Sequence, residues 1–175
     1  MSSLETQRLI LRLFTERDLD PFAEMCADAE VMRFLGGRPL THSESWRQVA
    51  TMLGHWQLLG YGMWAVEERE TGEFVGRVGF IDPPGWPGFE LGWALVRDFW
   101  GRGLAFEAAQ IALDHAFQRL GRDHVISLIH PENTRSRRLA ERLGERFEKT
   151  VDLFGDEVGV YGIDRAEWKA TGVLQ

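Results

Sequence analysis

At 175 residues, 44% of them hydrophobic, the chain is long enough for one domain with a full core, here taken as 1–175, and its composition is not that of a disordered protein. Lysine and arginine total 20 against 27 aspartates and glutamates, and the net charge of -7 argues against nucleic acid as a partner. No apolar run approaches the ~20 residues of a membrane span, the start Met1-Ser-Ser-Leu-Glu-Thr6 lacks a leader's basic and apolar regions, and the single Cys26 excludes an internal disulfide, so a cytoplasmic protein away from membranes is expected.

Arg8 to Leu13 reads as a short strand, and Thr15-Glu-Arg-Asp18 supplies caps for a helix through about Cys26. Cys26, between Met25 and Ala27, reads as a buried helical thiol rather than a nucleophile. Asp28 to Leu35 gives a second short helix stopped by Gly36-Gly37. Thr41-His-Ser-Glu44 is a capping box, so a helix runs from about Glu44 to Leu59 and ends at Gly60. Trp46, Val49, Leu53 and Trp56 recur on it at helical spacing, a face for the core or for a pocket wall. Tyr61 to Glu68 and Phe74 to Ile81 make a hairpin across the Glu70-Thr-Gly-Glu73 turn, and Pro83-Pro-Gly-Trp-Pro-Gly88 is a rigid connection outside the sheet.

Phe89 to Val96 then reads as a largely buried strand, Arg97-Asp-Phe-Trp-Gly-Arg-Gly103 as a glycine loop, and Leu104 to Leu120 as a helix closed by Gly121. A glycine turn that delivers a strand into a helix N-terminus leaves several backbone N–H groups aimed at one spot, where the helix dipole adds positive charge; that is an anion site suited to phosphate. A Walker loop does not fit, because only Phe99 and Trp100 lie between Asp98 and Gly101. A dinucleotide fingerprint wants a glycine where Phe106 stands and an earlier strand of a βαβ repeat. After this come a strand Val125 to Ile129, a basic amphipathic helix Asn133 to Leu143 ended by Gly144, and a closing hairpin of Phe147 to Phe154 and Val158 to Asp164. The element order is not the regular alternation of a doubly wound fold; it predicts an α+β (mixed α/β) chain, a mixed sheet flanked by about four helices.

Arg97-Asp-Phe-Trp-Gly-Arg-Gly-Leu-Ala-Phe-Glu-Ala108 resembles the acyl-CoA loop of the GNAT superfamily of N-acetyltransferases, and in particular the branch of ribosomal-protein alanine N-acetyltransferases. The opening Glu5-Thr-Gln-Arg-Leu-Ile-Leu-Arg12 is similar to a start frequent in the same branch. The resemblance covers nearly the whole chain. It implies a central, mostly antiparallel sheet whose fourth and fifth strands splay like a V, with acetyl-CoA as co-substrate.

Under that resemblance the backbone from Gly101 through Arg102, Gly103 and Leu104 to Ala105 holds the pyrophosphate, with the Arg102 side chain and Arg97 beside it. Glu90, Gly92, Ala94 and Val96 alternate onto one face of the central strand, and the small residues leave a slot for pantetheine. A backbone N–H among Ala94, Leu95 and Val96 is then the oxyanion donor. Glu90, a carboxylate in an apolar strand, reads either as the base that takes the ammonium proton, directly or through water, or as a partner of Arg77. In His130-Pro-Glu-Asn-Thr-Arg-Ser136, Asn133 and Ser136 have the ordinary work of caps. The resemblance adds a CoA contact for Asn133 and, for Ser136, protonation of the leaving thiolate. The tyrosine of many relatives falls at Ala140, and Glu145 stands where Phe is usual. Arg138 is the residue of the basic helix chosen to reach the nucleotide phosphates, and Phe34, Trp56 and Trp93 are the expected acceptor contacts. The five histidines show no metal-ligand spacing, so no metal is expected. The sequence thus points to direct acetyl transfer onto a primary amine, a protein N-terminus or a small molecule. The alternative is a non-catalytic acyl-CoA sensor, and a homodimer is left open.

Overall fold

Alternation of apolar and polar side chains builds the first edge of the sheet in the computed structural model, which describes residues 3–168. Leu4–Glu5 (β1) and Leu9–Arg12 (β2) pair antiparallel, with Leu9 and Leu11 wholly buried. The helices Leu19–Ala27 (α1), Ala29–Met32 (α2) and His42–Leu59 (α3) follow. The expected capping box opens α3: Glu44 N–H donates to the Thr41 hydroxyl at 3.2 Å and Thr41 N–H to the Glu44 carboxylate at 2.8 Å. Gly60, at φ +73°, closes it.

The face of α3 differs from the expectation. Ser45, Val49 and Met52 are buried, whereas Trp46 is 54% and Leu53 37% exposed. The two stripes share Val49 and Trp56, and the stripe one residue back meets the sheet.

The remaining elements are Met63–Glu68 (β3), Phe74–Ile81 (β4), Glu90–Leu95 (β5), Leu104–Gln118 (α4), His124–Ile129 (β6), Thr134–Leu143 (α5), Arg146–Leu153 (β7) and Asp156–Asp164 (β8). They form an eight-stranded sheet in the order β1-β2-β3-β4-β5-β6-β8-β7, and every pairing is antiparallel except β5 with β6. One core lies between the sheet and α4 and includes Trp64, Leu91, Leu95, Ile111 and Leu113. A second lies under α1 to α3 and includes Phe22, Cys26, Val49, Met63, Ala65 and Ala94. Sequential side chains of β5 point alternately into these two layers.

The β5–β6 junction positions the site. Its ladder holds one register pair, Glu90 with Ile126, and the Ile126 N–H reaches the Phe89 carbonyl at 3.0 Å. Beyond Leu91 the strands part, which is the V implied by the resemblance. At the apex the Ser127 hydroxyl lies 2.8 Å from the Leu91 carbonyl and 3.0 Å from Glu145 Oε1. The Ser127 hydroxyl proton thus faces two acceptors, the Leu91 carbonyl and the Glu145 carboxyl. Burial drives the Glu145 carboxyl well above the usual carboxylate range; the Ser127 bond opposes this, and the charges of Glu90 and Glu148 add to it. Glu145 is 2% exposed.

Candidate active site

Gly101 and Gly103 both adopt left-handed backbone, at φ +76° and +77°, and Gly103 is the N-cap of α4. The first intrahelical bond runs from Glu107 N–H to the Gly103 carbonyl at 3.1 Å. The amides of Leu104, Ala105 and Phe106 thus precede the helical ladder, an anion site in line with the helix axis. The loop is held from below: Arg8 Nη1 donates to the Arg102 carbonyl at 2.9 Å and Arg8 Nε to Glu107 Oε2 at 2.7 Å. Burial alone would raise the Glu107 carboxyl, but bonds from the Thr6 hydroxyl and from the Arg8 amide and guanidinium hold it below its ordinary value.

Backbone alternation decides which amides of β5 face the V. The Val96 N–H donates to the Val75 carbonyl at 2.9 Å, and Ala94 lies opposite Arg77. The amides of Glu90, Gly92, Ala94 and Val96 therefore face β4, and those of Leu91, Trp93 and Leu95 face β6. This corrects the expected donor set. Of Ala94, Leu95 and Val96, only Leu95 turns its N–H into the V, and Trp93 joins it where β6 has already moved away.

Glu90 lies at the foot of the V. Its carboxylate accepts from the Trp86 indole N–H at 2.6 Å and from the Leu128 backbone amide. Burial raises it to about 7, against the opposing pull of those two donors and of the more distant Arg77 charge. Among the described residues no ion pair joins Glu90 to Arg77. A carboxyl at this value changes charge near neutrality and suits proton transfer.

Across the V, Asn133 caps α5 by accepting from the Ser136 N–H at 3.2 Å. That bond uses its carbonyl oxygen and leaves its amide N–H groups for a ligand. The Ser136 hydroxyl oxygen accepts from the Trp93 indole at 3.2 Å. The indole thus orients the hydroxyl, and Ser136 keeps its own proton to donate.

The other expected residues are placed as follows. Arg102 turns to an ion pair with Glu68, its guanidinium 5.1 Å from the Phe99 ring centre, and Arg97 pairs with Asp28 at 3.1 Å. Arg138 is exposed on α5. Phe34 stacks on His130 at 5.1 Å, joining the segment after α2 to the end of β6 at the mouth of the V. Trp56 packs edge-on against Trp64 at 5.0 Å and donates to the Met63 carbonyl at 2.8 Å, which places it in the core rather than the V.

Two residues escaped the sequence. Trp86 belongs to the proline-rich connection and carried no pattern linking it to Glu90. Arg135, not Arg138, crosses to the glycine loop: its guanidinium lies 4.6 Å from the centre of the Trp100 ring, whose N–H holds the Leu95 carbonyl at 2.9 Å. Among the described residues no group of three or more His, Cys, Asp or Glu side chains is placed to hold a metal, and no helix is long and apolar enough to cross a membrane.

A glycine-capped helix start, a parted parallel strand pair and a buried acid at its foot thus share one cleft. The acetyltransferase (GNAT) domain model matches residues 8–146, and the chain belongs to that family. It is 32% identical over 146 residues to the uncharacterized N-acetyltransferase p20 of Bacillus licheniformis, covering 82% of each chain. The crystal structure of an acetyltransferase from Agrobacterium tumefaciens str. C58 superposes with a TM-score of 0.84 at 30% identity, covering 93% of this chain and 94% of that one. A structure of RimL, a ribosomal L7/L12 alpha-N-protein acetyltransferase in complex with coenzyme A, shares the fold at 19% identity and a TM-score of 0.77, covering 93% and 98%.

Proposed function

We propose that the chain transfers an acetyl group from acetyl-CoA directly to the nitrogen of a primary amine, a protein N-terminus or a small-molecule amine, without a covalent enzyme intermediate. The observation that carries this reading is the parted β5–β6 pair, with unpaired amides on one arm, Ser136 on the other and Glu90 at the foot. The amides from Gly101 to Ala105 hold the diphosphate, Asn133 meets the pantetheine arm, and Arg135 adds charge at the glycine loop. The Leu95 or Trp93 N–H donates to the thioester oxygen as it becomes an oxyanion. Glu90 takes the ammonium proton, directly or through water, which frees the nitrogen lone pair to attack the carbonyl carbon. As the carbon–sulfur bond breaks, the Ser136 hydroxyl gives its proton to the departing thiolate and takes up the second proton leaving the nitrogen. Alignment of the two substrates in one cleft does the rest.

The test is thiol release from acetyl-CoA with a panel of amines, with the acetylated amine identified by mass. Gly103→Glu strains the left-handed turn that opens the helix and adds a carboxylate beside Arg8 at the glycine loop, and is expected to raise the KM for acetyl-CoA by at least about tenfold. Tight binding of CoA without turnover of any amine would make the chain a sensor, and an unchanged KM in Gly103→Glu would remove the diphosphate from the loop.

A further inference from the structure

Arg77 stands at the centre of β4, between Ala65 of β3 and Ala94 of β5 in register. Cross-strand partners share a face, so its side chain enters the layer under α1 to α3, near Cys26. Glu90, two residues from Gly92 and four from Ala94, shares that face, and it lies opposite Ile81, four residues along from Arg77. Gly79 and Gly92 form the register pair between them and contribute no side chains; the end of Met63 lies over Gly92.

This region is deep but not sealed. Arg77, Glu90 and Gly92 keep partial solvent exposure, whereas Ala65, Val78 and Leu91 around them have none. Among the described residues, no hydrogen bond or ion pair reaches the Arg77 guanidinium, and its nitrogens are not among the enclosed, unpartnered polar atoms. They keep contact with solvent. Burial lowers the guanidinium from its ordinary value, and the electrostatic influence of Cys26 and Glu90 offsets this only in part. A guanidinium so placed is costly unless an anion joins it, and its planar fork matches a carboxylate.

We infer that Arg77 is the specificity residue of the acceptor hollow, and that the acceptor is an amine bearing a carboxylate, its nitrogen at Glu90 and its carboxylate at Arg77. This rests on the acetyl-transfer reading and narrows its acceptor. The two side chains start from positions about 13 Å apart along neighbouring strands on one face of the sheet, so the acceptor spans a gap set by their reach.

The experiment compares ω-aminocarboxylates of increasing length with n-alkylamines of the same length, by thiol release from acetyl-CoA and by calorimetric titration of each amine into the enzyme with CoA. Wild type is expected to prefer the carboxylate-bearing amine at its best length by at least about tenfold in kcat/KM, a difference one charge-assisted pair supplies. Arg77→Gln should abolish the preference, Arg77→Lys should keep part of it, and the KM for acetyl-CoA should stay within about twofold in both. Arg77→Met, which removes a charge without a partner, is expected to unfold at a temperature no lower than wild type. Equal use of both amine series, or a preference that survives Arg77→Gln, overturns the inference. Arg77-dependent carboxylate binding with no thiol release from any amine would instead overturn the acetyl-transfer reading and leave the anion site standing.

Discussion

In the proposed reaction Glu90 and Trp86 together set the pH at which the site works. As a base Glu90 acts only when ionised, so kcat/KM should rise with pH through about 7 and level off above it. Glu90→Gln should remove that limb and lower kcat by about 10²–10³-fold, the usual contribution of a positioned base. The Trp86 N–H, 2.6 Å from Glu90 Oε2, stabilises the ionised form. Trp86→Phe keeps the ring and deletes the donor, so the limb should move to higher pH; a limb that stayed put, or moved down, would detach Trp86 from the base. The part of this arrangement that the sequence carried was Glu90 itself, because a carboxylate inside an apolar strand stands out against its neighbours. Trp86 was illegible, since nothing in a proline-rich connection says where its indole will land.

At the scale of elements, the apex of the V rests on a buried carboxyl group. Glu145, Ser127 and the Leu91 carbonyl form one chain of hydrogen bonds that joins the turn after α5 to β6 and β5. Because burial raises the Glu145 carboxyl, its contribution to stability is complete below the ordinary carboxylate value and is lost as pH rises through the raised one; Glu90 acts in the same direction up to about 7. Urea unfolding should therefore give a lower stability at pH 8 than at pH 5 from these two groups. Glu145→Gln keeps an acceptor oxygen for the Ser127 hydroxyl and cannot ionise, so it should lie within about 1 kcal/mol of wild type at pH 5 and lose stability less steeply toward pH 8. An unchanged slope would mean that Glu145 does not titrate there. Helix ends were readable because Gly60, Gly121 and Gly144 take left-handed backbone at φ +73°, +67° and +94°. Strand register was not. Whether Arg77 would face Glu90, and which β5 amides would face β6, depends on pairing between strands, which no single strand encodes. The face of α3 was misread for a related reason: aromatic Trp46 outweighs Ser45 on any hydrophobic scale, but the tertiary contact chose Ser45.

At the scale of the molecule, β1 to β5 and β6 to β8 are two half-sheets that share one register pair and the Ser127 chain at the apex. Farther out, Trp93 to Ser136 and Trp100 to Arg135 are among the contacts that span the gap from the β5 side to α5. The reaction proposed for this cleft needs groups from both halves at once: amides and Glu90 from one, Asn133 and Ser136 from the other. The Trp93–Ser136 bond therefore connects the halves and also fixes where the Ser136 proton points. Ser136→Ala removes the proton and should lower kcat about 10-fold or more, with little change in the KM for acetyl-CoA. Trp93→Phe keeps most of the packing with Ile129 and Ala140, removes the indole donor, and should cost severalfold in kcat. If the indole acts through the hydroxyl, the double variant should be no slower than Ser136→Ala alone, because residues acting as a unit are not additive. Full additivity in that cycle would separate the two roles, leaving Trp93 as packing and the thiolate proton without an orienting group.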